Sequence, residues 1–159
     1  MWLVLVAFLL WHKGGSADAT GVSTSADGFS YKVLASRRGT KWVLAIRVEN
    51  LSGRPVRVFR GSLPWQARRA AILVAVTSNA KREFLEEALV VDDSLPDTVE
   101  IPAGASLEGD IFLERRFPSL ATALRKGSVI VFWSFEIRTA GETPLQRQAG
   151  GVVLRPVPD

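Results

Sequence analysis

Trp42-Val43-Leu44-Ala45-Ile46-Arg47-Val48-Glu49 decides the fold. Trp42, Leu44, Ile46 and Val48 take every second position, and Val43, Ala45, Arg47 and Glu49 lie between them. Side chains alternate across a strand, so this spacing predicts a strand with one core face and one face toward solvent. Asn50-Leu51-Ser52-Gly53 follows with turn chemistry, since Asn and Gly tolerate positive φ. The same period continues outward from this stretch. Val56 and Val58 share a face within 55–60, and Thr98 to Ile101 forms a short strand closed by Pro102-Ala103-Gly104. Leu107, Ile111 and Leu113 alternate with Glu108, Asp110, Phe112 and Glu114, and Val129, Val131, Trp133, Phe135 and Ile137 form the strongest strand. Val152 to Val157 is the last strand. Trp42 and Trp133 fall on apolar faces and are predicted core residues.

Two segments are less regular. Ala70 to Thr77 is apolar on both faces, which predicts a central strand covered on both sides. Arg82 to Val91 fits either a helical stripe or a strand. A strand hairpinned to Ile72–Val76 follows more naturally from the Ser78-Asn79 turn, with Leu85, Leu89 and Val91 inward. Asp92 to Pro96 reads as a loop. A single short helix is predicted over 118–126, with Pro118 and Ser119 at its start, Arg125 and Lys126 in its last turn and Gly127 beyond its end. About eight short strands at regular spacing with one crossing helix predict an all-β fold: an immunoglobulin-like antiparallel β-sandwich of about seven to nine strands.

The N-terminus speaks to the compartment. Met1 to Trp11 is an unbroken apolar run, shorter than the roughly 20 residues that span a bilayer but of the length of a signal-peptide apolar core. Ala17-Asp18-Ala19 fits the small-x-small cleavage pattern, although no Lys or Arg precedes the run. The expected organisation is a signal peptide over 1–19, a flexible lead-in over 20–27 and one β-sandwich domain over 28–158. It places the protein in the periplasm or outside the cell, with no stable membrane span once the leader is removed. Cleavage would remove Lys13 and Asp18 together, leaving the net charge at +4. It would also remove His12, the single histidine of a chain that has no cysteine. Without His or Cys there is no Ser-His-Asp triad and no zinc, copper or iron site of the usual kinds. No catalytic residue, metal or cofactor is expected, and the protein is not expected to be an enzyme.

Asn50-Leu51-Ser52-Gly53-Arg54-Pro55-Val56 resembles the N-x-S-x-x-P-V turn of exported bacterial immunoglobulin-like domains. Ile101-Pro102-Ala103-Gly104-Ala105-Ser106 is similar to the P-x-G-x-S step of the same domains, small proteinase-inhibitor-like sandwiches among them. The resemblance covers about a tenth of the chain and implies the fold, since both motifs mark turns.

Arg54, Arg57, Arg60, Arg68 and Arg69 surround Trp65 with no acid among them. Arginine forks grip carboxylates and phosphates, and an exposed Trp adds an anchor. These six residues are the candidate partner-binding surface, weighed against a solvated face with Trp65 tucked over the core edge. The expected partner is another protein with an acidic surface; an anionic envelope component or a glycan is the alternative, and nucleic acid is not expected. Trp65 and Phe132 are the aromatics considered for stacking on sugar. The acids run from Glu83 to Glu100. Asp92 to Asp97 lacks the glycine and regular spacing of calcium loops. A carboxylate pair for glycoside hydrolysis is a distant alternative. No S-x-x-K motif accompanies Lys32, Lys41, Lys81 or Lys126, so a Ser–Lys nucleophile is rejected. The functional expectation is an exported, non-catalytic binding module of the inhibitor, immunity or accessory type.

Overall fold

A computed structural model describes residues 21–89, 97–141 and 144–156. The fold is mostly β, with antiparallel sheets and no barrel. Among the described residues, nine strands follow in chain order: β1 (Gly21–Ala26), β2 (Phe29–Arg38), β3 (Lys41–Asn50), β4 (Val56–Phe59), β5 (Ala71–Thr77), β6 (Thr98–Ile101), β7 (Ser106–Phe112), β8 (Val129–Phe135) and β9 (Gln148–Leu154). Two short helices, α1 (Leu113–Arg116) and α2 (Leu120–Lys126), sit between β7 and β8. The strands form a four-stranded sheet ordered β1-β2-β3-β7, a two-stranded sheet β4-β6 and a three-stranded sheet β5-β8-β9.

Alternation sets the faces. On β2, Phe29, Tyr31, Val33 and Ala35 are buried; on β3, Trp42, Leu44, Ile46 and Val48 are buried. From the three-stranded sheet come Ala71, Leu73, Ala75, Val129, Val131, Trp133, Phe135, Val152 and Leu154. Val58 and Ile101 come from the small sheet, and Leu120 and Leu124 from α2. All these side chains join one cluster. Tyr31 of the first sheet meets Phe135 of the third at 6.0 Å between ring centroids. Burial, with the negative charge of Asp27 nearby, pushes the Tyr31 phenol far above its ordinary range, so the ring stays neutral in the core.

Asn50 joins the two turns whose motifs stand out in the sequence. It is fully buried, and its Nδ2 donates to the carbonyls of Arg54 at 2.7 Å and Ile101 at 2.9 Å. Its Oδ1 accepts from the Ser52 amide at 3.0 Å. Its own amide donates to Ala105 O, and Gly104 N donates to its carbonyl. Asn is required here because one side chain must donate to one turn and accept from another, and a buried amide left unpaired is costly. Gly53 and Gly104 adopt φ of 75° and 71°, the left-handed conformation that their turns need.

Five segments depart from the sequence reading, one of them the last strand, expected from Val152 but running over Gln148–Leu154 with Gly150 and Gly151 inside it. Gly21–Ala26, expected within a flexible lead-in, is β1 and pairs with β2 from Gly21↔Leu34 to Ala26↔Phe29. Leu113, expected on a strand, begins the helical turn α1. The expected strand over 82–91 reduces to one bridge, Val76↔Phe84, with Leu85 N donating to Ala75 O. Beyond Leu85 the chain leaves β5: Ala88 N bonds to Arg116 O, and Leu89 is fully exposed instead of inward. Val91 and the Asp92–Pro96 loop lie outside the described residues. Finally, β5 is not a central strand covered twice. It lies at the end of the three-stranded sheet, and Ile72 and Val74 on its outer face are 58% and 38% exposed. The helix expected over 118–126 is present as α2, ended by Gly127.

Candidate functional site

The arginines between 54 and 69 do not stand free of carboxylates. Arg57 on β4 lies directly across from Glu100 on β6, with Nε 3.7 Å from the carboxylate. Arg60 follows β4 in a 3-10 turn. Its Nε is 3.2 Å from Asp97 Oδ2, and its amide donates to Asp97 O. A regular strand would send Arg57 and Arg60 to opposite faces; the turn after Phe59 releases Arg60 from that rule. Arg68 Nη2 is 3.1 Å from Glu87 Oε1, and the same carboxylate holds the buried Arg116. The basic and acidic segments, so distinct in the sequence, therefore meet each other inside one molecule. Arg54 and Arg69 are exposed, at the β3–β4 turn and ahead of β5.

Trp65 is half-buried against the core, and it owes its seat to a missing side chain. A Cβ placed on Gly109 of β7 would lie 2.0 Å from Trp65 Cγ, so the indole rests on bare strand backbone. Trp65 closes the β7 end of the core and is not presented as an exposed anchor.

The outer faces of the two larger sheets differ in kind. On the first sheet, Lys32, Arg47 and Glu108 lie in one cross-strand row. Arg47 pairs with Glu108 at 3.3 Å and with Glu49 at 3.8 Å, and Arg38 pairs with Asp110 at 3.2 Å. These charges line a shallow groove of about 440 Å³ that also takes in Ser23, Ser30 and Leu34. This is the ordinary solvated side of an antiparallel sheet.

Among the described residues, β5, β8 and β9 themselves carry no charge on their outer face; the Arg147–Glu136 pair, at 3.4 Å, lies just beyond the last row. Pairing places Phe84, Val76, Ile130 and Val153 in one row, Val74, Phe132 and Gly151 in the next, and Ile72, Ser134 and Ala149 in the last. Ile72, Val74, Phe84, Phe132 and Val153 are all exposed, with Phe84 at 76% and Phe132 at 49%. Neighbouring residues in these rows stand about 5 Å apart, so the side chains form one continuous patch. An exposed apolar patch of a few hundred Å² is often functional on a folded domain, which makes this face the candidate site. Of the two aromatics considered for sugar stacking, Phe132 is on this patch and Trp65 is on the core.

No protein-family model, curated protein or solved structure matches the chain. The functional reading therefore rests on the molecule's own surfaces. Among the described residues, no group of three or more His, Asp or Glu side chains is arranged to hold a metal ion, and no helix is long and apolar enough to cross a membrane.

The signal for this site is present in the sequence as the two-faced apolar run Ala71–Thr77 and the apolar pair Ile130 and Phe132 between the inward residues of β8. Such runs mark strands covered on both faces. Among the described residues, only one face of this sheet is covered.

Proposed function

We propose that the protein is an exported, non-catalytic binding module with an immunoglobulin-like sandwich fold, and that it docks through the outer face of the β5-β8-β9 sheet. The carrying observation is the uncharged, exposed patch of Ile72, Val74, Phe84, Phe132 and Val153. The facing antiparallel sheets over one core support the sandwich. Export is supported by Met1–Trp11 and Ala17-Asp18-Ala19, and a non-catalytic role by a chain without Cys whose one His lies inside the predicted leader. An acidic protein docking at Arg54–Arg69 loses ground, because Arg57, Arg60 and Arg68 each face a carboxylate of the same chain.

Phe132→Asp places a charge at the centre of the patch without touching the core. Retention of the exported protein by native envelope extract should weaken about thirtyfold, the equivalent of a roughly 2 kcal/mol hot spot. Arg57→Ala with Arg60→Ala should leave retention within about twofold, as for exposed ion pairs. Loss of retention in the arginine variant, with Phe132→Asp unaffected, would return the site to the arginine segment.

A further inference from the structure

Resting on that reading, we propose that the occupant of the patch is the surface of an anionic lipid bilayer. The argument begins at one end of the sheet. Beyond the row Phe84, Val76, Ile130 and Val153, the amide of Ser78 donates to Ser128 O at 2.9 Å and ties the turn after β5 to the segment entering β8. Lys81 and Arg82 stand in that turn, Arg125 and Lys126 end α2 just before β8, and Arg155 follows β9. All five are exposed, against two exposed acids in the adjoining segment, Glu83 and Glu86. A small cleft of about 170 Å³ brings Phe84 of the patch together with Lys126 of this cationic end, with Glu83 also on its wall.

An exposed apolar patch bordered at one end by cations is the pattern that binds at a headgroup boundary. The apolar side chains enter the acyl margin, and Lys and Arg reach lipid phosphates. The patch is also small. Four strand positions about 4.8 Å apart and about five residues of strand give roughly 320 Å². A stable protein interface takes about 800 Å² per partner, so the patch alone does not furnish a dimer. A bilayer sets no such minimum, and it meets the cations and the apolar rows at once.

The test is flotation of the exported protein with phosphatidylglycerol–phosphatidylcholine vesicles. A retained leader would contribute equally to every variant, so differences between variants report the patch. The protein should float with the mixed vesicles, and binding to pure phosphatidylcholine should be weaker. Lys81→Gln with Lys126→Gln should lose on the order of twenty-five-fold, about fivefold for each cation, and high salt should mimic this loss. Phe132→Ser should lose about tenfold or more while its melting temperature stays near that of the parent, because Phe132 lies outside the core. Equal binding to both vesicle types, or binding indifferent to Phe132→Ser, would overturn the proposal. So would a vesicle-free particle of twice the mass that Phe132→Ser dissociates, which would assign the patch to a second copy. If vesicles fail while lipid-free envelope proteins retain the chain through Phe132, the lipid assignment falls and the docking surface stands. If neither depends on Phe132, the docking surface falls too.

Discussion

Trp133→Ala should destabilise the protein by about 3–5 kcal/mol, the range for large aromatic truncations in a core. Trp133 is 3% exposed and stacks on Phe135 with centroids 5.3 Å apart. Its six-membered ring lies over Gly150 of β9, where a Cβ would come within 2.6 Å of Cζ2. Alanine at 133 therefore leaves a cavity that β9 cannot fill, because the facing position carries no side chain. The buried Nε1 has no hydrogen-bond partner. An unpaired buried donor costs free energy, so Trp133→Phe loses volume but sheds that penalty. The expected order of melting temperatures is parent, then Phe, then Ala, with Ala lower by about 6 °C or more. Thermal unfolding followed by circular dichroism checks it. A melt for Trp133→Ala within about 1 °C of the parent would mean that the β8 register is wrong.

Arg116→Ala should cost about 3 kcal/mol or more, the lower end for one partner removed from a buried charge pair. Arg116 is 7% exposed. Its Nη2 donates to Ala71 O at 2.8 Å and its Nη1 to Arg68 O at 3.2 Å, while its Nε meets Glu87. One guanidinium thus holds the start of β5, the turn before it and the chain leaving the 84–85 bridge. Removing it unpairs the Ala71 carbonyl and deprives Glu87 of its closest cation, although Arg68 still faces that carboxylate at 3.1 Å. Arg116→Met with Glu87→Ala should recover part of the loss, since an apolar replacement strands no charge. Urea denaturation distinguishes the cases. Equal stability of Arg116→Ala and the parent would show that the network contributes nothing.

Much of the fold is legible as period two. Trp42 to Val48 and Val129 to Phe135 alternate, and their odd and even sets separate into core and surface as the pleat demands, except at Val43, which is buried although it lies on the other face from Trp42. Pro118 and Gly127 frame α2 because a missing donor and a permissive φ have few other uses at those places. What the sequence hides is covering and pairing. Ala71–Thr77 reads as covered twice because an apolar run records that both faces avoid water, not which molecule covers them. Phe84 bridges to Val76 as a hairpin predicts, but the next residues are drawn to Arg116, a contact 28 positions away by residue number (Ala88 to Arg116). Arg57 and Glu100 share a row only because β4 and β6 pair, and no local pattern announces that pairing. Trp65 reads as an exposed anchor until the bare backbone of Gly109 is seen beneath it.

The central claim is that the uncharged outer face of the β5-β8-β9 sheet is where the protein binds. Because the chain has no cysteine, a single introduced thiol can carry an environment-sensitive fluorophore without competing sites. Val74→Cys places it in the middle row of the patch, and Lys32→Cys places it on the charged face of the first sheet. Addition of native envelope material should shift emission to the blue at position 74 and leave position 32 unchanged. A shift at position 32 with none at position 74 would contradict the account.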